Sequence, residues 1–129
     1  MAHPNEDLVR KGYTAFGKGD LEGVGQLFGG DIVWHVPGKN QFSGDYKGVQ
    51  EVIGFFTKTM EWAQGTFKIE THDILANDTH AAVMVTTSAE RDGKRWTDNQ
   101  VHLLHLADGK VTEYWNHPSD QYATDEFWG

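Results

Sequence analysis

Cysteine is absent from the 129 residues, which excludes a disulfide framework, thiolate metal sites and a cysteine nucleophile. Basic residues are scarce: 11 lysines and arginines against 19 aspartates and glutamates leave a net charge of −8 with the histidines neutral. A nucleic-acid-binding domain needs a basic footprint to displace counterions from phosphates, and an acidic surface is a poor match for anionic lipid headgroups. Nucleic acid and membrane are therefore not expected as partners. No apolar run approaches the length of a membrane span, and the opening Met1-Ala2-His3-Pro4-Asn5-Glu6-Asp7 is too polar for a signal peptide. The expectation is a soluble, cytoplasmic protein. Repeats, low-complexity tracts and long linkers are also missing, so residues 1–129 read as one domain, long enough for one hydrophobic core. There is no Gly-X-Ser-X-Gly elbow for serine hydrolysis and no phosphate-cradling glycine loop, and no cofactor is expected.

Aromatic residues are plentiful. Five Trp, four Tyr and seven Phe make up 12% of the chain. Large side chains suit a small core that must bury enough area, and they equally suit an aromatic-walled pocket for a flat or apolar small molecule. Composition alone does not separate these readings.

The hydrophobic spacing predicts helices first and strands later. Leu8, Val9, Tyr13 and Phe16 recur near helical spacing over residues 5–18, opened by Asn5 as a capping residue. Asp20 caps a second short helix through Leu21, Val24, Leu27 and Phe28, ended by Gly29-Gly30. Residues 32–36 are β-branched and aromatic and read as a strand bounded by Pro37-Gly38. Residues 37–47 read as a polar loop, and residues 48–62 as an amphipathic helix on Val49, Val52, Ile53, Phe56 and Met60. Four strands follow over 67–76, 80–90, 95–107 and 110–117, divided by Asn77-Asp78 and by two Asp-Gly pairs, which are strong hairpin signals. The tail over 119–128 has room for one helical turn ended by Gly129. The fold class is α+β: a curved antiparallel sheet, closed by N-terminal helices into a cone whose mouth holds any ligand site.

Several runs carry a family likeness. Gly19-Asp20-Leu21-Glu22-Gly23, Leu27-Phe28, Asp31-Ile32-Val33-Trp34-His35-Val36-Pro37-Gly38, Ser43-Gly44-Asp45-Tyr46-Lys47-Gly48 and Asp108-Gly109-Lys110-Val111-Thr112-Glu113-Tyr114-Trp115 follow one another in order. Together they resemble the ketosteroid-isomerase-like, or SnoaL-like, branch of the NTF2-like superfamily across nearly the whole chain. The resemblance implies a cone-shaped α+β barrel (NTF2-like or cystatin-like) and a homodimer. It leaves the reaction open, because that fold hosts isomerases, polyketide cyclases, epoxide hydrolases, dehydratases and non-catalytic binding modules.

Ketosteroid isomerases combine a carboxylate base with an oxyanion hole made of a tyrosine and a protonated acid. Matching prolines puts the base position on Val36; matching the following glycines puts it on His35. Strand alternation groups Ile32, Trp34 and Val36 on the core face and favours Val36, which removes the carboxylate. The tyrosine position falls on Gly12, with Tyr13 one residue away. The acid position falls on His102, which shares a strand face with Gln100, Leu104 and Leu106. A neutral imidazole there donates a hydrogen bond to a carbonyl, and a protonated one stabilises an enolate; the plain alternative is a core histidine satisfied by a neighbour.

Cyclase-like and epoxide-hydrolase-like members carry a working carboxylate near the end of the last strand, where this chain has Asn116 and Asp120. Asp120 is a candidate base if burial raises its pKa, and alternatively a cap for the tail helix. The epoxide-hydrolase pattern also needs an inward arginine and aspartate, and Val85-Thr86-Thr87-Ser88-Ala89 carries no charge. His102 and His105 are three apart, which sends them to opposite faces of a strand, and His35, His72, His80 and His117 are scattered, so no metal is expected. Trp34, Phe16 and Tyr114 are expected to line a pocket, with Tyr13 and Asn116 as further substrate-binding residues. The aromatic tail over 122–128 is expected to plug the cone mouth or pack across a subunit boundary.

The sequence-based expectation is a small apolar ligand in an aromatic cavity. Cofactor-free acid/base isomerisation or cyclisation at a carbonyl would use His102 as donor or acid and Asp120 as base, with Tyr114 and Asn116 orienting. The alternatives are a non-catalytic module for an apolar metabolite and a protein-interaction domain.

Overall fold

Two Asp-Gly pairs set the length of the sheet. In the computed structural model, which describes residues 3–129 and leaves the polar start read at Met1 and Ala2 outside, Asp92 and Gly93 adopt φ of 50° and 81°, and Asp108 and Gly109 adopt 52° and 72°. Two consecutive residues at positive φ make a type I′ turn, whose twist matches that of the strands it joins. The first pair links β4 (His80–Arg91) to β5 (Lys94–Ala107), and the second links β5 to β6 (Lys110–Pro118). On the other side of β4, Asn77 turns the chain by accepting the backbone N–H groups of Thr79 and His80 at 2.9 and 2.8 Å, which joins β3 (Lys68–Ala76).

The remaining elements are α1 (Pro4–Gly17), α2 (Leu21–Gly25), β1 (Phe28–Val36), β2 (Gly44–Lys47), α3 (Val49–Trp62) and α4 (Gln121–Trp128). The cap of α1 is His3 rather than Asn5: its Nδ1 accepts from the Asn5 backbone, and Pro4 occupies the first turn, where a missing N–H costs nothing. Asp20 caps α2 as expected, accepting from Gly23 N at 2.9 Å.

Three further expectations need correction. Helix α2 stops at Gly25 instead of reaching Phe28, because the Leu27 carbonyl accepts from Val111 at 2.9 Å and Phe28 pairs with Val111, so β6 draws this segment into the sheet. Gly29 and Gly30 thus lie inside β1. The loop over residues 37–47 contains β2, four residues too short to show alternation, paired antiparallel to β1. The sheet is mixed rather than antiparallel: its order is β2-β1-β6-β5-β4-β3, and β1 runs parallel to β6.

The α+β architecture holds. The two edges, β2 and β3, do not pair with each other, so helices, not strand pairing, complete the enclosure. Helices α1 and α3 cover one face. Val9, Val24, Val52 and Phe56 meet Ile32, Val83, Val85 and Leu104 there in the main core. A second, aromatic cluster of Phe42, Trp96 and Trp128 forms where α4 returns to the open end.

Candidate ligand-binding site

Alternation along β5 and β6 sends Gln100, His102 and Leu104 inward with Tyr114 and Asn116. His102 stands directly opposite Asn116, and Leu104 opposite Tyr114. On the other side of β6, Tyr114 stands opposite Trp34, and the two rings stack at 3.5 Å with an interplanar angle of 9°. From α1, Tyr13 reaches across the interior so that its hydroxyl lies 2.5 Å from His102 Nδ1. Phe16, a turn later, packs edge-on against Phe56 of α3. These side chains border one cavity of about 160 Å³ between the helices and the sheet.

The open end of the cavity is closed by α4 and by the loop over residues 37–43. Trp128, 5% exposed, borders the cavity, and Gln41 donates to its carbonyl at 2.8 Å. Asn40 and Gln121 both donate to Asp125 Oδ1 at 2.9 Å. The tail thus plugs its own cone, although Tyr122 is 92% exposed on the outer side of the helix.

Among the described residues, the lining holds no aspartate, glutamate, lysine or arginine. Its one ionisable imidazole, His102, is 4% exposed, and burial lowers its pKa to about 3, so it is neutral at physiological pH. Burial raises the Tyr13 and Tyr114 hydroxyls above their ordinary range, with Tyr13 adding to the shift of Tyr114. His102 Nε2 lies 3.1 Å from Gln100 Oε1. A carbonyl oxygen only accepts, so the imidazole proton sits on Nε2, and Nδ1 accepts the proton of Tyr13. Gln100 therefore sets the tautomer. Sequence alternation placed Gln100 on this face but gave no sign of this role.

Most other polar side chains around the cavity are satisfied within the protein. Thr59 donates to the Phe56 carbonyl at 2.8 Å and Thr87 to the Asp98 carbonyl at 3.3 Å. Thr124 donates to the Asp120 carbonyl at 2.7 Å. Among the described residues, the Asn116 Oδ1 is the buried side-chain polar atom left without a hydrogen-bond partner.

Tyr13, Phe16, Trp34, His102, Tyr114 and Asn116 come together around the cavity. Asp120 does not. It is exposed and caps α4, accepting from Ala123 N at 3.0 Å, and it is absent from the cavity wall. The helix begins one residue after Asp120, so local capping geometry holds its carboxylate at the surface. Val36 borders the cavity, while His35 faces outward, 2.7 Å from both Asp45 and Glu113 and stacked on Trp115. His105 also faces outward, against Trp115 and His80. The residue matched to the tyrosine position, Gly12, borders the cavity too, but a Cβ there would lie 3.2 Å from Leu27 Cδ1. Tyr13 supplies the hydroxyl from the next position along the helix.

The family model of the SnoaL-like domain matches residues 9–114. This chain belongs to the SnoaL-like family. The SnoaL-like protein is 33% identical over 123 residues to Rv0034, an uncharacterized protein of Mycobacterium tuberculosis, covering 95% of this chain and 94% of that one. Among solved structures it is similar to Bal32a, from a soil-derived mobile gene cassette, at 33% identity and a TM-score of 0.94 over 98% of this chain and 97% of that one. A protein of unknown function with a cystatin-like fold from Xanthomonas campestris gives 34% identity and a TM-score of 0.89, covering 95% and 96% of the two chains. The fold is NTF2-like.

Proposed function

We propose that this SnoaL-like protein binds a neutral, largely apolar small molecule in the cavity and orients its polar group against Tyr13, His102 and Asn116. The observation that carries this reading is a lining free of ionised side chains around a buried, neutral polar cluster. An ion placed there would lose its hydration and meet no counter-charge, which costs several kcal/mol (on the order of 2–7 even for an unpaired neutral polar group). Size narrows the class further. A dry cavity of about 150 Å³ accepts benzene, whereas pockets for drug-sized molecules run to roughly 300–1,000 Å³. A molecule of one or two rings suits the cavity with α4 docked.

Cofactor-free isomerisation or cyclisation is the second reading, favoured by the 2.5 Å Tyr13–His102 hydrogen bond. It needs a group that takes a proton at neutral pH. The imidazole is pushed down and the phenols up, so a Tyr13-to-His102 transfer runs against both shifts. Val36 supplies no carboxylate, and Asp120 is spent at the surface. Binding is the better supported function.

The test is a calorimetric comparison of toluene, benzoate and benzylammonium. Toluene is expected to bind and to raise the unfolding temperature, with neither ion doing so; a ligand at 100 times its Kd adds about 2.7 kcal/mol of stability. Either ion binding as tightly as toluene, or no binding by any of the three, overturns the reading.

The homodimer belongs to the same proposal. Leu75 and Leu103, 55% and 39% exposed, share a groove on the outer sheet face with Trp115, His80 and His105. Beside it, His35 is paired with Asp45 and Glu113. Covering these exposed leucines against a second copy would remove their apolar surface from water.

A further inference from the structure

Resting on the binding reading above, we infer that Trp128 is a specificity-determining residue: its indole is the end wall that sets how long an apolar ligand the cavity accepts. The inward positions of β5 give the cavity an axis, because alternate residues of a strand stand on one face. Along that face Leu104, then His102 and Gln100, then Trp96 border the cavity. Trp128 closes the Trp96 end, roughly 20 Å along the strand from His102. Its ring stands edge-on to Trp96 and to Phe42, with centroids 5.4 and 5.7 Å away, and 5.6 Å from Phe67. All four rings border the cavity.

The contacts that dock α4 include several that use no part of this indole. Gln41 donates to the backbone carbonyl of Trp128 at 2.8 Å, and Asn40 donates to Asp125 Oδ1 at 2.9 Å. Trp96 Nε1 donates to Thr124 Oγ1 at 3.3 Å, and Asp120 caps the helix. A smaller side chain at position 128 therefore leaves the helix in place. Packed surroundings relax only partly when a large side chain is cut back, so space opens between Phe42, Phe67 and Trp96. That space is walled by aromatic carbon and lengthens the cavity away from the polar cluster. A ligand that already reaches the indole gains nothing from greater length, because overfilling a packed interior is destabilising. One with room beyond it gains about fourfold in affinity for each further methylene buried.

The test is a titration with the n-alkylbenzenes from toluene to octylbenzene, on wild type and on Trp128→Phe, Trp128→Leu and Trp128→Ala. Affinity is expected to climb with chain length and then stop climbing. The stopping point is expected to move to longer chains in the order wild type, phenylalanine, leucine, alanine, with toluene bound throughout. Trp128→Phe keeps a ring in the aromatic cluster, so its comparison with wild type decides the matter if alanine prevents folding. The same stopping point in every protein overturns the inference, as does a wild-type affinity that climbs through octylbenzene. One longer stopping point shared by all three variants also overturns it, because α4 would then have left the mouth whatever the side chain. Loss of toluene from Trp128→Phe alone overturns it too, making the indole a ligand contact and not a limit. A wild-type protein that binds no member of the series overturns the cavity reading beneath, a result distinct from all of these.

Discussion

At the scale of single residues, the two buried-side and outer-side histidines titrate in opposite senses. His35 loses some proton affinity to burial, but its hydrogen bonds to Glu113 and Asp45 more than offset this and raise its pKa. Its stabilising effect is present below about pH 6.5 and fades as the pH rises through the raised folded value. His102 is the reverse. Burial lowers its folded pKa from the ordinary 6.5 to about 3, so between those values the unfolded chain holds a proton that the folded protein does not. Its neutral packing contributes fully above pH 6.5 and is lost as the pH falls toward 3. Glutamine at this position does not titrate. Urea unfolding of wild type and His102→Gln should show the variant less stable at pH 7.5, with the gap narrowing by on the order of 2 kcal/mol by pH 4.5. A gap that stays constant over that range would show that His102 titrates normally in the folded protein.

At the scale of elements, α4 is held by three contacts of different kinds: the Asp120 cap, the Trp128 ring in its aromatic cluster, and the hydrogen bonds from the loop over residues 37–43. That loop passes so close to the helix that a Cβ on Gly38, whose φ is +91°, would lie 2.2 Å from the Asp125 and Gln121 side chains. The cap separates structure from chemistry at Asp120. Asp120→Ala removes the acceptor for Ala123 N–H and is expected to cost about 1 kcal/mol of stability, with toluene affinity unchanged in calorimetry. A loss of affinity much larger than the loss of stability would return Asp120 to the site.

At the scale of the whole molecule, the sheet separates two environments. Its inner face holds the cavity and the neutral polar cluster. Its outer face holds the histidine pairs and the exposed leucines. If the outer face joins two copies, sedimentation equilibrium at micromolar concentration should give a dimer, and Leu103→Glu should give a monomer that still binds toluene. A wild-type monomer would show that this face stays open in solution. The two faces are legible in the sequence because period-two alternation decides them: His102 inward and His105 outward, Trp34 inward and His35 outward, as each residue's parity along its strand requires. Residues of β5 and β6 near the cavity, Tyr114 and Asn116 among them, follow the same rule.

What the sequence determined by itself is everything that local chain physics decides: the capped helices, the Asp-Gly hairpins with both central residues at positive φ, and the side of the sheet on which each side chain stands. These depend on neighbours within a few positions. Only the tertiary structure decided the parallel pairing of β1 with β6, because Phe28 and Val111 lie far apart in the chain and meet through the rest of the sheet. The same holds for the site. Tyr13 and His102 are 89 positions apart, and helical spacing gives no hint that the hydroxyl of one ends on the ring nitrogen of the other. Asp120 was ambiguous between base and cap until the start of α4 placed its carboxylate at the surface. The unpartnered oxygen of Asn116 is likewise visible only in the packed molecule, since hydrogen-bond satisfaction is a property of that packing and not of any segment of it.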